Sequence, residues 1–428
     1  MSIFLDALLD SSLDDGIRGV PPGTAPFPLR EVGAMGWRPA AGTMALPVLT
    51  LDEDAFAANR DLIFAYARRH GVALAPHAKT PMAPQIACAL VEAGAWGATV
   101  ANLQQAAILL RAGVTRLILA NEIGGRASGE RLGALLAVHP GADLRAFADS
   151  PAAVETLAAA ARVAGRPLPV LVEVGAGRGG ARDRAAVEAI LAAVLRHRGL
   201  LVLDGVATYE GAVATSDPAE TAANIAALLQ RTAEAFAAVR ALVPERPLLL
   251  TAGGSAFFDM VVAGLGPVAA ADGNATLVLR SGAIFFHDHG VYERALGALD
   301  ARRGFACGGA AAADFRPALR LWAEVLTRPE PGLAICGFGM RDASFDQDLP
   351  LPLRIHRDGA ALPAGDLRVT RLNDQHAFVA VPAGLDLAVG DIIEFGISHP
   401  CTCIDRWRVL FGLDAGGRVR TAYRTFFG

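Results

Sequence analysis

The stretch from Val72 to Asn102 reads VALAPHAKTPMAPQIACALVEAGAWGATVAN and holds one complete strand–helix–strand unit. An apolar run at 72–76 is followed by the helix-forming segment PMAPQIACALVEAG and then by a second apolar run at 98–101. Short apolar runs on either side of an Ala- and Leu-rich helix are typical of parallel strands joined by a crossover helix. The stretch therefore predicts an α/β fold.

The same alternation continues to about residue 290. Further strands are predicted at 117–120, 145–148, 169–174, 203–208, 247–252 and 276–280. Ser150-Pro151 and Asp217-Pro218 are helix start signals, and Gly94, Gly113 and Gly165 follow predicted helix ends. Eight strands that alternate with helices predict a (β/α)8 barrel of the TIM type, and an open doubly wound sheet is the alternative.

After about residue 315 the pattern changes to short strands separated by Pro, Gly and Asp turns. The predicted domains are therefore a barrel over 45–315 and a mostly β domain over 316–428. The segment LPVLTLDE near residue 46 has the pattern of a strand, and an alternative boundary assigns it, with the rest of 1–50, to the β domain.

The composition narrows the classes of partner. The net charge is −4, and charges of both signs are interspersed without a basic stripe, so nucleic acid is not an expected partner. No apolar run approaches the ~20 residues that span a membrane. The N-terminus has no positive region before its short apolar run, so neither a secretory signal nor a membrane partner is predicted.

The cysteines form an odd and scattered set, which argues against a disulfide framework. They are Cys88, Cys307, Cys336, Cys401 and Cys403. Without a secretory signal or a disulfide framework, the predicted location is the cytoplasm.

Lys79 is the single lysine among 39 Lys and Arg residues. An arginine can carry the charge of a lysine at exposed sites, but it does not lose its proton. A desolvated lysine amine can lose its proton and act as a nucleophile. Lys79 is therefore a candidate for amine chemistry, and its retention by chance is the alternative.

Polar, charged and glycine residues follow the predicted strands, where a (β/α)8 barrel has its active site. The candidates are His77, Lys79, Arg178, Tyr209, Gly253, Gly254 and Ser255. In extended chain His77 and Lys79 share one face, and the turn TAGGSAFF at 251–258 could present N–H groups to a phosphate. Taken singly, each candidate also has an ordinary structural explanation, such as a hydrogen-bonded histidine, a surface ion pair or an unliganded turn.

The segment GAGRGG at 175–180 fits the dinucleotide-binding pattern G-x-G-x-x-G after a strand. It comes late in the alternation rather than in its first unit, and only Asp204 stands near the distance expected for the acidic residue. The barrel interpretation is therefore preferred over a dinucleotide site.

The segment ISHPCTCIDRW at 397–407 is a second candidate site. Pro400 favours extended chain between His399 and Cys401, and their side chains would then point to one side, as a divalent metal of the zinc type requires. Cys403 would share that face if the extension continued. A metal with only two protein ligands is typical of an open catalytic site. The alternative is that these cysteines are buried free thiols that bind no metal.

The chain resembles the D-serine dehydratase/D-threonine aldolase family from about residue 45 to the C-terminus. The segments that carry the resemblance are PHAKT, EVGAGRGG, YEGA, GGSAFFD and SHPCTCIDRWRVL. Members of this family are pyridoxal phosphate enzymes with an alanine racemase-type barrel and a C-terminal β domain. The PHxKT and HPC motifs are the specific part, because the two together are rare outside the family.

The resemblance implies a role for each barrel candidate. Lys79 would form the internal aldimine with pyridoxal phosphate, and His77 would lie beside the cofactor. Arg178 would contact the O3′ side of the ring, and Tyr209 would lie near the ring. The phosphate would be held by Gly253, Gly254 and Ser255.

The same resemblance implies a dehydratase, or deaminase, that converts a β-hydroxy-D-amino acid such as D-serine or D-threonine to a 2-oxo acid and ammonia. His399 and Cys401 would bind zinc, or manganese or magnesium, to activate the β-hydroxyl. Cysteine at this position is typical of dehydratases, whereas aldolases tend to have a carboxylate. Ala75 and Pro81, on either side of the PHAKT segment, depart from better-known members of the family. The variant APHAKT…AGAWGATVAN resembles a group labelled amino-acid deaminases.

Three alternatives remain open. Retro-aldol cleavage would give glycine and an aldehyde. Racemization would need a second base, for which Tyr423 is the tyrosine of the predicted β domain. A catalytically silent carrier of pyridoxal phosphate is a third alternative. The family resemblance also implies a homodimer, because in this fold the partner's β domain completes the site.

Overall fold

The structure, a computed structural model, describes residues 2–305 and 311–427, so Cys307 lies outside the described residues. Several elements precede the barrel. They are α1 (Ile3–Leu9), β1 (Ser12–Leu13), β2 (Phe27–Pro28), two 3-10 helices (Leu29–Met35 and Pro39–Ala41), β3 (Val48–Asp52) and α2 (Glu53–Arg69).

Eight parallel strands within the described residues form the barrel, as predicted. They are β4 (Ala73–Leu74), β5 (Ala98–Val100), β6 (Arg116–Leu119), β7 (Asp143–Ala148), β8 (Leu168–Glu173), β9 (Leu201–Ala207), β10 (Leu248–Ala252) and β11 (Ala275–Leu279). Each strand pairs with the next from β5 to β11, and β11 pairs with β4. The segment GAGRGG follows the fifth barrel strand, and the open doubly wound alternative is wrong.

The barrel closes where the first strand leaves its regular ladder. His77 and Thr99 form an isolated parallel bridge. The Ala78 amide donates to the Thr99 carbonyl at 2.8 Å, and the Thr99 amide donates to the Pro76 carbonyl at 3.0 Å. The closing bonds therefore involve the PHAKT segment itself.

A helix follows each barrel strand. They are α3 (Pro84–Glu92), α4 (Leu103–Ala112), α5 (Gly125–Val138), α6 (Pro151–Ala164), α7 (Arg184–Arg196), α8 (Pro218–Leu242), α9 (Phe258–Asp272) and α10 (Val291–Ala301). Ser150 and Asp217 accept hydrogen bonds from the first-turn amides of their helices, as expected of N-cap residues. Gly113 and Gly165 end their helices in the left-handed conformation.

Alternate residues of the barrel strands face opposite sides. In β8, Val170 and Val172 pack in the large core that includes the helices, whereas Leu171 packs with the interior residues of other strands. The interior residues are Ala75, Ile118, Phe147, Leu171, Ala207, Leu249 and Val278. Residues two positions further along each strand therefore point into the mouth of the barrel.

Antiparallel strands dominate the C-terminal part. The elements are β12 (Leu319–Glu330), β13 (Leu333–Cys336), β14 (Leu351–Arg357), β15 (Ala360–Pro363), β16 (Arg368–Leu372), β17 (Ala377–Ala380), β18 (Ile392–Gly396), α11 (Pro400–Ile404), β19 (Val409–Leu413) and β20 (Val419–Arg424). Strand β3, which precedes the barrel, pairs antiparallel with β12 and parallel with β19. The segment around residue 48 thus lies in the C-terminal sheet.

None of the helices in the described parts of the chain has the length and apolar character of a membrane span.

Asn59 of α2 joins the barrel to the C-terminal part. Its side chain is 0% exposed. The amide group donates to the carbonyls of Phe285 (3.0 Å) and Arg316 (2.8 Å), and its oxygen accepts from the Arg316 amide (2.8 Å). All three hydrogen bonds satisfy backbone groups near the junction of the two parts.

We expect Asn59→Ala to destabilise the protein by about 2–4 kcal/mol, because buried backbone groups would lose their partners. Thermal and urea unfolding measure the effect. Asn224→Ala is the matched control, since Asn224 is only partly buried and makes a single 3.4 Å bond to the Val213 carbonyl. Equal losses in the two variants would contradict the role given to Asn59.

Candidate active site

Lys79 lies at the mouth of the barrel, just beyond the closing hydrogen bonds, and its side chain is exposed. Its backbone amide approaches His77 Nδ1 at 3.4 Å. Burial, followed by the charges of Lys79, Arg280 and Arg178, lowers the pKa of His77 well below its ordinary value. His77 is therefore a neutral imidazole beside the lysine at neutral pH.

Arg178 and Tyr209 come together from neighbouring strands. The guanidinium carbon of Arg178 lies 5.4 Å from the centre of the Tyr209 ring, within the range of a cation–π contact. Burial, and then the neighbouring Glu210, raises the pKa of Tyr209. The structure thus places both residues at the mouth of the barrel.

The turn Gly253–Ser255 ends β10 and leads into α9. The amides of Gly253 and Gly254 donate to the carboxylate of Glu210, at 3.0 and 2.6 Å. The hydroxyl of Ser255 accepts from the Ile284 amide at 3.2 Å. Within the described chain the backbone amide of Ser255 has no hydrogen-bond acceptor, so it is the donor of this turn that remains open to a ligand.

Arg280 is a charged residue of the site that the predicted set did not include. It is 6% exposed and donates to the Thr251 hydroxyl (2.9 Å) and the Thr208 carbonyl (2.7 Å). Burial lowers its pKa, and the charge of Glu210 opposes that effect. The strand period could have identified Arg280, because it stands two residues after the interior residue Val278.

Glu122 and Glu173 form a carboxyl pair at the same mouth. Glu173 is 3% exposed and stands two residues after the interior Leu171. Burial, and then the hydrogen bond and charge of Glu122, raises the pKa of Glu173 to about 9, whereas the pKa of Glu122 is lowered by its bond to Glu173. The pair therefore shares one proton at neutral pH. A side chain at Gly179, in the GAGRGG loop, would collide with Glu122.

His399 and Cys401 lie together, but the predicted extended chain between them is wrong. His399 is extended, whereas Cys401 lies in the short helix α11, which begins at Pro400. Proline at the first helical position is compatible with a helix start. The extension on which a shared face with Cys403 depended does not continue, and Cys403 is buried with its thiol 3.9 Å from the Asp342 carbonyl.

Asp346 contacts the His399 side chain, and Thr80 contacts the Cys401 side chain. Asp346 accepts from His399 Nδ1 at 2.7 Å, and the Cys401 thiol lies 3.2 Å from the Thr80 hydroxyl. Burial disfavours the imidazolium, but Cys401 and Asp346 outweigh it and raise the pKa of His399 to about 9. The part of the chain that the structure describes holds no cluster of three or more metal-type ligands.

Tyr292, which the sequence analysis missed, links the two halves of the site. It forms a hydrogen bond with Ser255, and burial, followed by Cys401, Tyr209 and Asp288, raises its pKa well above its ordinary value. The Val291 amide donates to the Ser398 carbonyl at 3.1 Å. This bond connects the start of α10 to the segment that carries the HPC motif.

The residues present fit pyridoxal phosphate. Lys79 supplies an amine at the mouth of the barrel, and the open Ser255 amide, near the start of α9, suits a phosphate. His399 and Cys401 are chemically suitable for a divalent ion of the zinc type, with Asp346 placed to orient the histidine.

Comparisons with known proteins agree with this architecture. The family model described as "Alanine racemase, N-terminal domain" matches residues 51–262, and the one described as "Putative serine dehydratase domain" matches residues 318–413. A D-threonine aldolase from Arthrobacter sp. is 30% identical over 361 residues, which cover 82% of this chain and 85% of that protein.

Two further proteins extend the comparison. A D-threo-3-hydroxyaspartate dehydratase from Delftia sp. (strain HT23) is 29% identical over 255 residues, covering 54% of this chain and 66% of that protein. The crystal structure of a D-threonine aldolase from Filomicrobium marinum superposes with a TM-score of 0.70 at 25% identity, over 91% of this chain and 96% of that one.

We expect Glu173→Gln to change the pH dependence of stability. Because the folded pKa of Glu173 is raised, its contribution is full below the ordinary value of 4.5 and is lost as pH rises towards about 9. Glutamine stays neutral and can still donate to Glu122, so the variant should gain in thermal midpoint over the parent across that window. Glu188→Gln, at an exposed ion pair with Arg184, is the control. Parallel curves for Glu173→Gln and the parent would contradict the shared proton.

Proposed function

The chain belongs to the D-serine dehydratase/D-threonine aldolase-like family of pyridoxal phosphate-dependent lyases, and within that family we propose that it is a dehydratase. The substrate would be a β-hydroxy-D-amino acid such as D-serine or D-threonine, and the products a 2-oxo acid and ammonia. The observation that carries the proposal is Cys401, whose thiol lies 3.2 Å from the hydroxyl of Thr80, the neighbour of Lys79. The family resemblance associates cysteine at this position with dehydratases.

Pyridoxal phosphate would supply the electron sink for the charge that develops at the substrate's Cα. Lys79 would hold the cofactor covalently, with Arg178 on the O3′ side of the ring and Tyr209 near the ring. Ser255 would bind the phosphate through its open amide, in the turn formed by Gly253 and Gly254. Tyr292, which is hydrogen-bonded to Ser255, would help to keep Ser255 in place.

Lys79 is the proposed base of the reaction. Its Nζ, as a free neutral amine, would take the proton from the substrate's Cα. His77 lies beside Lys79 and is neutral, so it adds no positive charge to the mouth of the barrel. The charges of Arg178 and Arg280 at that mouth help to lower the pKa of His77.

His399 and Cys401 would hold a divalent ion, with zinc preferred for a histidine and thiolate pair and manganese or magnesium as alternatives. The ion would supply a Lewis acid for the departing β-hydroxyl. Asp346 would orient His399 through its bond to Nδ1, which leaves Nε2 for the ion. After loss of water, the released enamine would hydrolyse to the oxo acid and ammonia.

The second candidate is aldol cleavage, which the similarity to the Arthrobacter D-threonine aldolase favours. In that reaction a base would take the proton of the β-hydroxyl, and the Cα–Cβ bond would break to give glycine and an aldehyde. Racemization has less support, because the hydroxyl of Tyr423 donates to Glu53 at 2.7 Å. A homodimer and a cytoplasmic location are further expectations from the family resemblance and the sequence.

We expect the protein, loaded with pyridoxal phosphate and a divalent metal, to convert D-threonine to 2-oxobutyrate and ammonia. Both product pairs are assayed in one incubation. Glycine with acetaldehyde would instead establish the aldolase. The control is Lys79→Arg, because arginine keeps the charge but cannot supply a neutral amine. Turnover in that variant equal to the parent's would contradict the role of Lys79.

We expect exhaustive chelation to lower the dehydration rate to below about a tenth of the loaded value, because the hydroxyl would lose its Lewis acid. The visible spectrum of the bound cofactor should persist, and re-addition of zinc should restore the rate. An unaltered rate in metal-free protein would show that His399 and Cys401 have another role.

A further inference from the structure

Glu210 is a buried carboxylate that the proposed reaction does not use. It follows β9 and begins the 3-10 helix Glu210–Val213. The residue is 0% exposed. Its two carboxylate oxygens are occupied separately, one by the Gly253 amide at 3.0 Å and the other by the Gly254 amide at 2.6 Å. A carboxylate from one strand end thus holds the turn at the next.

The charge of Glu210 has a buried counterpart. Among the charges that act on Arg280, that of Glu210 is the largest, and it opposes the effect of burial. Arg280 itself reaches back to Thr208 and Thr251 at the ends of β9 and β10. Removing the charge of Glu210 would therefore leave the buried Arg280 with less compensation for its burial.

The turn that Glu210 binds has no room for side chains at its two glycines. Gly253 has a φ of +86°, and a Cβ there would lie 2.6 Å from Leu279. A Cβ at Gly254 would lie 3.0 Å from the Tyr209 ring and 3.4 Å from Glu210. The next residue, Ser255, has the open amide.

We propose that Glu210 is a positioning residue for the cofactor phosphate, which it acts on by fixing the Gly253–Gly254 turn so that the Ser255 amide and hydroxyl face the phosphate. This inference rests on the proposed function, since it requires pyridoxal phosphate at Lys79. The opposite relation, in which the phosphate displaces Glu210 from the two amides, would strand a buried carboxylate without donors beside a second anion, at a high cost.

The test compares pyridoxal phosphate with pyridoxal, which lacks the phosphate. Apoprotein is titrated with each aldehyde, and binding is followed by the visible absorbance of the product with Lys79. Glu210→Gln offers one acceptor oxygen for two amides. We expect its Kd for pyridoxal phosphate to rise about tenfold, equivalent to about 1.4 kcal/mol. Its Kd for pyridoxal should stay within about twofold, because pyridoxal makes no phosphate contact.

Two further variants complete the test. Glu210→Asp keeps the charge near Arg280, but the aspartate is too short to reach both amides. It should therefore show the same selective loss of affinity for pyridoxal phosphate. This variant takes the place of Glu210→Gln in the test if Glu210→Gln does not fold. Glu220→Gln, an exposed glutamate of α8 bonded to Thr215, should match the parent with both aldehydes.

The remaining outcomes overturn the inference. Tighter binding of pyridoxal phosphate by Glu210→Gln would show that the carboxylate competes with the phosphate. Equal losses for both aldehydes would show a general structural role, and unchanged affinities would show no role. If the parent protein itself forms no product with pyridoxal phosphate at Lys79, the proposed function fails, and that result is distinct from any effect of Glu210.

Discussion

The hydrogen bonds that close the barrel between residues 76–78 and Thr99 are the constraint on which the site depends. Strand β4 has only two residues in its regular ladder with β11, so the chain leaves it early and turns inward as it meets β5. This early departure carries Lys79 to the mouth of the barrel. The lysine is therefore held by the main chain of the fold, and its side chain remains exposed for covalent chemistry.

The fold could be predicted because its signals are local and repeated. Each barrel strand is a short apolar run, and capping residues such as Ser150 and Asp217 mark the helix starts. The same regularity explains why candidates at strand ends lie at one mouth. The two-residue period of a strand would also have identified Glu173 and Arg280. Each stands two residues after a residue that packs in the barrel interior.

Other features depend on contacts that no local pattern records. The helix at Pro400 was missed because proline suits both extended chain and the first turn of a helix. Glu210 gave no signal, since its partners are main-chain amides of another strand end, 43 residues away. Tyr292 and Asp346 likewise reach the site only through tertiary packing. Site residues defined by long-range hydrogen bonds therefore have to be read from the structure.

Strand β3 has a consequence for how the protein is made. It is synthesised before the barrel, yet its neighbours β12 and β19 come roughly 270 and 360 residues later. During synthesis the barrel residues are complete before β12 and β19, so β3 stays unpaired until those strands have been made. The His399 and Cys401 half of the site is completed in the same late step, because β19 follows it directly. Strand β3 therefore gains its sheet partners only through contacts of long sequence separation, which are the slow ones to form in folding.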